Sequence, residues 1–253
     1  MHGIMHDDTL PYQYASSTVS SVLVWTLPVN SLLLTASVFD RESEFYTLFQ
    51  SLMTSVASKY VIRCVETDED VLLYRELFLQ SEVLIHMGKE LGDENMTAIG
   101  TEYTKKQFKE DLHSLDSIKK VYKSSGGEFW ILHDTEKGVM VGSIALQIHA
   151  PGEGELRRMC ILPTYRRQGL GKFLLHHFFN FIQNSSVKLF NNGKCRVILG
   201  TPAVNTPALA LYSLFGFEVV ERFTVECDPL GSTLDLVQLA VTLTNSSPES
   251  ETS

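Results

Sequence analysis

Six consecutive residues, Arg166-Arg167-Gln168-Gly169-Leu170-Gly171, do most to restrict what this chain can become. They follow an apolar, strand-like run that ends at Leu162-Pro163. They precede LGKFLLHHFFNFIQ, whose apolar residues recur at helical spacing. A strand, a glycine-containing turn and a helix N-terminus in that order make an anion site. The first amides of a helix have no intrahelical acceptor, and the macrodipole favours negative charge there. Glycine at 169 and 171 removes the Cβ atoms that would hold a phosphate off those amides. The turn is not a Walker loop, since no G-K-[ST] follows, and not a dinucleotide fingerprint, since G-x-G-x-x-G is absent.

The segments on either side set the fold class. VIRCV (61–65) reads as a strand and ends at Thr67-Asp68, a helix-start signal. DEDVLLYRELFLQSEVLI has helical spacing, 88–100 reads as a loop, and TEYTKKQFKEDLHSLDSIKKVYKS is a second helical region that stops at Gly126-Gly127. EFWILHD, VMVGSIALQIHA and ELRRMCIL then read as antiparallel strands joined by the turns TEKG and PGEG. Beyond the amphipathic helix come a strand (CRVILG), a short helix (TPALALYSLFGF, closed by Gly216) and a hairpin, EVVERFTVE and LDLVQLAVTL. The order β-α-α-β-β-β-α-β-α-β-β predicts an α/β (α+β) domain over residues 61–243. Its sheet is mixed, mostly antiparallel and six- to seven-stranded, and helices flank it. No internal repeat is present.

Outside that span the chain has a different character. Residues 1–60 form an extension and linker, and no charged side chain occurs from Pro11 to Phe39. The apolar stretch 19–39 is long enough to cross a bilayer, yet it contains Pro28 and Asn30, and its flanks, Asp7 and Asp8 upstream and Arg41 downstream, are not the Lys/Arg flank that usually orients an anchor. It reads either as a membrane anchor or as a soluble extension. The tail 244–253 is polar and expected to be disordered.

Charge narrows the partner. With a formal net charge of −9, the protein is a poor match for nucleic acid. Against that background Arg157, Arg158, Arg166, Arg167 and Lys172 form a local basic cluster, which reads as a solvated face or as a site for a small, highly anionic ligand. Cys64, Cys160, Cys195 and Cys227 are widely spaced, which suits reduced thiols in a cytoplasmic protein better than disulfides or a zinc site. The adjacent His176 and His177 point in different directions from one helix, which favours a structural role over metal ligation.

ELRRMCILPTYRRQGLGKFLLHHF resembles the central motif of the GNAT family of N-acetyltransferases: strand, proline-containing turn, R-x-x-G-x-G, helix. The resemblance implies a GNAT-like acyl-CoA N-acyltransferase fold with acetyl-CoA as co-substrate and no metal. Position by position, it implies that the turn Arg166, Arg167, Gln168, Gly169, Leu170, Gly171 and Lys172 holds the coenzyme A pyrophosphate, mainly through the amides from Arg167 to Lys172. It further implies that the strand end at Met159, Cys160 and Ile161 pairs with the pantetheine arm and polarises the thioester carbonyl. VILGTPAVNTPALALYSLFGFEVVERF resembles the family's next motif, so Asn205 is expected at the cofactor and Tyr212 as the general acid that protonates the departing thiolate.

The base is less well marked. Some family members carry a glutamate just before the asparagine motif, where this chain has Gly200. Glu155 is the candidate base instead, at the start of the strand leading to the cofactor turn; with Glu153 it also flanks the PGEG turn, where a solvated role is the alternative. The expected reaction is direct attack of a primary amine on the thioester, the acceptor being a small molecule, a polyamine or a peptide amino group. The run 66–70 and Asp93-Glu94 read either as a hint of a cationic acceptor or as a solvated surface. A catalytically weak acyl-CoA-binding regulatory module with the same fold is the alternative function.

Overall fold

The computed structural model describes residue 56 and residues 58–184, 189–227 and 231–244. The apolar stretch 19–39 and the tail 244–253 therefore lie outside the described residues, save Thr244 itself. Among the described residues no helix is long and apolar enough to cross a membrane.

One seven-stranded sheet organises the described chain, with β1 (Tyr60–Cys64), β2 (Glu128–Asp134), β3 (Val139–Ala150), β4 (Glu153–Ile161), β5 (Lys194–Pro202), β6 (Glu218–Cys227) and β7 (Ser232–Thr244) in the order β1-β2-β3-β4-β5-β7-β6. All neighbours are antiparallel except β4 and β5. The expected mixed sheet, with its short turns at 135–138 and 151–152, is the one observed.

The two faces of the sheet bury separate apolar clusters because strand side chains alternate. Along β2, Trp130 and Leu132 join one cluster while Phe129 and Ile131 join the other. The first cluster is covered by α5 (Leu170–Asn184), whose Leu174, Leu175, Phe178 and Ile182 are all but fully buried against Val141, Leu156, Val197 and Leu239. The second is covered by α1 (Asp68–Ser81), through Tyr74 and Leu77, with Ile118 and Tyr122. His176 and His177 do diverge. His177 sets its ring edge-on to Trp130 at 5.0 Å, whereas His176 faces Phe215 at 6.0 Å.

Between β1 and β2 the chain departs from expectation. Two helical regions and a loop are replaced by four helices: α1, α2 (Val83–Leu91), α3 (Glu94–Glu110) and α4 (Leu115–Val121). The presumed loop over 88–100 is in fact the end of α2, a tight turn and the start of α3. Caps, rather than apolar spacing, decide these boundaries. Glu82 leaves the helical region (φ −62°, ψ 126°), stopping α1, and its carboxylate accepts from the Ile85 amide at 2.8 Å to start α2. Gly92 closes α2 in the left-handed conformation (φ 68°), and Asp93 caps α3 through the Met96 amide at 2.9 Å.

Three of the acidic residues that hinted at a cationic acceptor, Asp68, Asp70 and Asp93, accept backbone amides in the same way. Asp70 closes a capping box with Thr67 and pairs with Arg63 at 2.5 Å, while Asp68 accepts from the Leu115 amide at 2.9 Å. Burial alone would raise Asp70; the Arg63 hydrogen bond and the amides of Glu66 and Thr67 outweigh it and hold the carboxyl down to about 2.

One feature of the sheet positions the site. The parallel register of β4 and β5 consists of Glu153↔Arg196, Gly154↔Val197 and Glu155↔Ile198 and then ends. β4 continues to Ile161 and β5 to Pro202. The two strands therefore part, and the edge of β4 from Leu156 onward has no strand beside it among the described residues.

Candidate active site

The parting of β4 from β5 is accompanied by a bulge. Ala145 pairs with Arg157 but Ser143 with Cys160, so β4 carries an extra residue there, and Arg158 adopts φ 54°. The bulge turns two successive arginines toward α3. Arg157 donates to Gln147 Oε1 at 2.6 Å and lies 4.0 Å from both Glu110 and Asp111. Arg158 is buried and grips Asp111 with two hydrogen bonds, Nε to Oδ2 at 3.0 Å and Nη2 to Oδ1 at 2.6 Å, while Nη1 donates to Gln107. Tyr122 donates to the same carboxylate, and Ser143 Oγ donates to the Arg158 carbonyl at 2.5 Å. This clamp fixes the point from which the free edge of β4 departs. The basic cluster in the sequence contained Arg158, but its partner lay 47 residues away and nothing in the pattern linked them.

Beyond the bulge, side chains alternate again. Met159 and Ile161 pack with the α5 cluster and Cys160 with the α1 cluster, its Sγ 3.2 Å from Ser143 Oγ. Burial pushes the Cys160 thiol up and away from thiolate character. What residues 159–161 offer the gap is therefore main chain, the donor and acceptor row an extended ligand can join as an added strand.

At the end of β4 a short 3-10 turn, Pro163–Tyr165, leads into the motif. Arg167 (φ 63°) and Gly169 (φ 83°) both occupy the left-handed region, which aims successive amides the same way, and Gly169 accepts from the Phe173 amide at 3.0 Å as α5 begins. Gly171 is required by packing as well: a Cβ there would stand 2.8 Å from Leu211 Cδ2. The turn is braced from behind. Gln168 accepts from the Tyr60 hydroxyl at 3.1 Å and donates to the Thr164 carbonyl at 3.3 Å. The Arg166 guanidinium donates to the Ile161 carbonyl at 3.1 Å and the Ser81 carbonyl at 2.8 Å, tying β4 to the end of α1 instead of pointing into the turn. Lys172 lies in the first turn of α5.

The second motif meets the first where Leu211 lies close to Gly171. Asn205 sits at the head of α6 (Thr206–Leu214) and donates to Thr201 Oγ1 at 3.3 Å. Tyr212, on α6, is only 6% exposed and packs edge-on against Phe217 at 5.7 Å. Burial raises its phenol well above the usual range, with the Cys160 thiol adding to the effect, so Tyr212 keeps its proton at neutral pH. Glu155 occupies the last paired position before the gap, with Oε2 2.9 Å from His149 Nε2 and Oε1 4.0 Å from Arg157 Nε. Among the described residues no group of three His, Cys, Asp or Glu side chains could hold a metal ion.

A second carboxylate near the site was missed. Glu82, read from the sequence as part of a continuous helix, is only 6% exposed at the α1–α2 junction, and Gly100 makes room for it: a Cβ there would lie 2.7 Å from Glu82 Oε2. Burial raises its carboxyl to about 7, although the amides of Ile85, Leu84 and Val83 and the charge of Arg166 all oppose the shift. The folded protein thus holds a proton that the unfolded chain has already released, and the stability this provides is present below about 4.5 and lost as pH rises to about 7. The loss amounts to about 3 kcal/mol. Glu82→Gln keeps an oxygen for the Ile85 amide and cannot titrate. In urea unfolding at several pH values, the variant is expected to gain on the parent by that amount between those limits. A difference that stays flat with pH would refute the assignment.

A parted β4/β5 pair, a bulged strand, a phosphate-type turn on α5 and a buried tyrosine on α6 together define a GNAT-type acyl-CoA N-acyltransferase fold. Comparison with known proteins agrees. Residues 125–219 match the family model described as the acetyltransferase (GNAT) domain. Over 105 residues the chain is 28% identical to the [ribosomal protein bS18]-alanine N-acetyltransferase of Escherichia coli K12, a match that spans 42% of this chain and 66% of that relative, just short of two thirds. Among solved structures it superposes on the PaiA N-acetyltransferase of Thermoplasma acidophilum in complex with coenzyme A (TM-score 0.50, 16% identity, 71% of this chain and 97% of that one). It also superposes on the ribosomal-protein-S5-alanine acetyltransferase of Vibrio fischeri (TM-score 0.50, 10% identity, 74% and 94%).

Proposed function

We propose that this protein is an acetyl-CoA-dependent N-acetyltransferase that moves an acetyl group to a primary amine by direct attack on the thioester. The observation that carries the reading is the unpaired edge of β4 running straight into the left-handed turn at Arg167–Gly169. An extended arm and a terminal anion can be held there by one continuous run of main chain. Acetyl-CoA, when bound, supplies the activated acetyl group.

The chain's own residues have four tasks. The amides from Arg167 through Lys172 hold the pyrophosphate, and Arg166 and Gln168 keep the turn in shape. The edge at Met159, Cys160 and Ile161 aligns the arm, and an amide there polarises the thioester carbonyl, at a position set by the Arg158–Asp111 clamp. Asn205 closes the far side of the gap. Tyr212, protonated throughout the physiological range, delivers a proton to the sulfur as the carbon–sulfur bond breaks. The amine must arrive neutral. An α-amino group, with an ordinary pKa of about 8, meets that need more readily than a lysine at about 10.4. Glu155, with His149 beside it, is the candidate to take the surplus proton, directly or through water. Two of the similar proteins are named for acetylating an alanine of a ribosomal protein, which is consistent with a peptide amino group as acceptor.

The test is a thermal unfolding titration of the full chain with acetyl-CoA, repeated with Gly169→Asp. The parent should gain about 3–4 kcal/mol at saturating ligand, and the variant, with a carboxylate in the turn, none. A folded parent whose melting temperature ignores acetyl-CoA would refute the reading.

A further inference from the structure

Among the described residues the outermost strand of the sheet has a free edge. β6 pairs with β7 on one side, and among the described residues nothing pairs with its other side. Val219 and Val220 are each 48% exposed and Phe223 is 37% exposed, on a strand that has neither proline nor lysine. Proline, bulges and charged side chains, lysine above all, are the usual protections of a free edge; here the charges are of both signs, Glu218, Glu221 and Glu226 with Arg222 among them. The one bulge of β6, between Val219 and Glu221, lies near its start and leaves Glu221–Cys227 in unbroken register with β7.

The two faces of this strand have different chemistry. Phe223 and Val225 stand opposite Leu236 and Leu234, which lie on the α2–α3 side. Arg222 stands opposite Val237, which lies on the α5 side, and alternation places Thr224 and Glu226 on that side too. A second copy that adds its own β6 antiparallel, about a two-fold axis normal to the sheet, keeps each face on its own side. Any such register is centred on a single residue. A centre at Arg222 or Glu221 opposes like charges, and a centre at Phe223 sets Glu221 against Val225. A centre at Thr224 sets Arg222 against the partner's Glu226 and Phe223 against the partner's Val225, and each pair occurs twice.

We infer that β6 is the dimerisation edge of this protein, and that two copies join their sheets through it in the register centred on Thr224. The strand is self-complementary there: an apolar pair and an ion pair fall on opposite faces, with main-chain hydrogen bonds between. The inference does not depend on the acetyl-transfer reading.

Sedimentation of the full chain tests it, with Arg222→Glu, Glu226→Arg and the double exchange alongside. The parent should be dimeric at micromolar concentration. Each single variant opposes like charges twice per dimer and should weaken association at least about tenfold. The double variant restores opposite charges and should return to within about threefold of the parent. All four proteins should keep the parental melting behaviour in the monomeric state, since both side chains are exposed. A parent that stays monomeric at ~100 µM would overturn the inference. So would a dimer indifferent to the single exchanges, or a double variant no better than the singles.

Discussion

Replacing Tyr212 by phenylalanine is expected to lower kcat about 10²- to 10³-fold while the KM for acetyl-CoA moves less than about threefold. The substitution removes one oxygen and keeps the ring that packs on Phe217, so the fold and the turn on α5 should be untouched. On the proposed mechanism, what is lost is the proton donor. A thiolate leaves poorly when nothing protonates it, and this cost appears only once the carbon–sulfur bond is breaking. The effect therefore belongs in kcat and not in binding. Because burial raises the phenol, the parent should show no alkaline loss of rate from Tyr212 below pH ~10. Thiol release at saturating acetyl-CoA, with an amine screened for turnover, measures both. A variant with parental kcat would remove Tyr212 from the mechanism. A parent that binds acetyl-CoA yet turns over no amine would favour the acyl-CoA-binding module.

Asp111→Ala should destabilise the protein by about 3–5 kcal/mol, because it leaves the Arg158 guanidinium buried without its counter-charge. Asp111 is 1% exposed and accepts from Arg158 twice and from Tyr122, so no water takes its place cheaply. The coupling is as informative as the loss. Arg158→Met alone should cost a similar amount, and the double variant clearly less than the sum, since an apolar pair no longer strands a charge. Urea midpoints of the four proteins give the cycle. Additive effects below about 1 kcal/mol each would mean that the clamp does not hold the bulge.

How much of this could be read beforehand differs between the halves of the chain. The seven strands were legible because turn residues such as Gly138, Gly152 and Gly216 punctuate them and their apolar content is high. The turn at Arg166–Gly171 was legible because its chemistry is local: adjacent residues supply both the conformation and the amides. The helices between β1 and β2 were not: apolar residues keep roughly helical spacing across Glu82, the polar run with Gly88, Gly92 and Gly100 imitates a loop, and the true breaks come from capping bonds. Arg158 shows the other limit. Its partners Asp111 and Gln107 lie about fifty residues away, and only the fold brings them together. Arg166 was legible as a motif residue but not in its task, since the Ser81 carbonyl it reaches lies on another element.

The seam at β4 and β5 has a mechanical consequence. With a register of only three residue pairs, the sheet is nearly two separate plates, and the piece that spans them is α5, whose buried face touches strands from both. That helix is a keystone as well as the proposed anion site. A molecule lying along the parted edge with its diphosphate on the end of α5 would close the joint like a spline, replacing rungs the strands do not supply. Thermal breathing of the empty protein should therefore concentrate along this line. If the chain acts as proposed, its moment of greatest rigidity should come with acetyl-CoA seated, before any amine arrives.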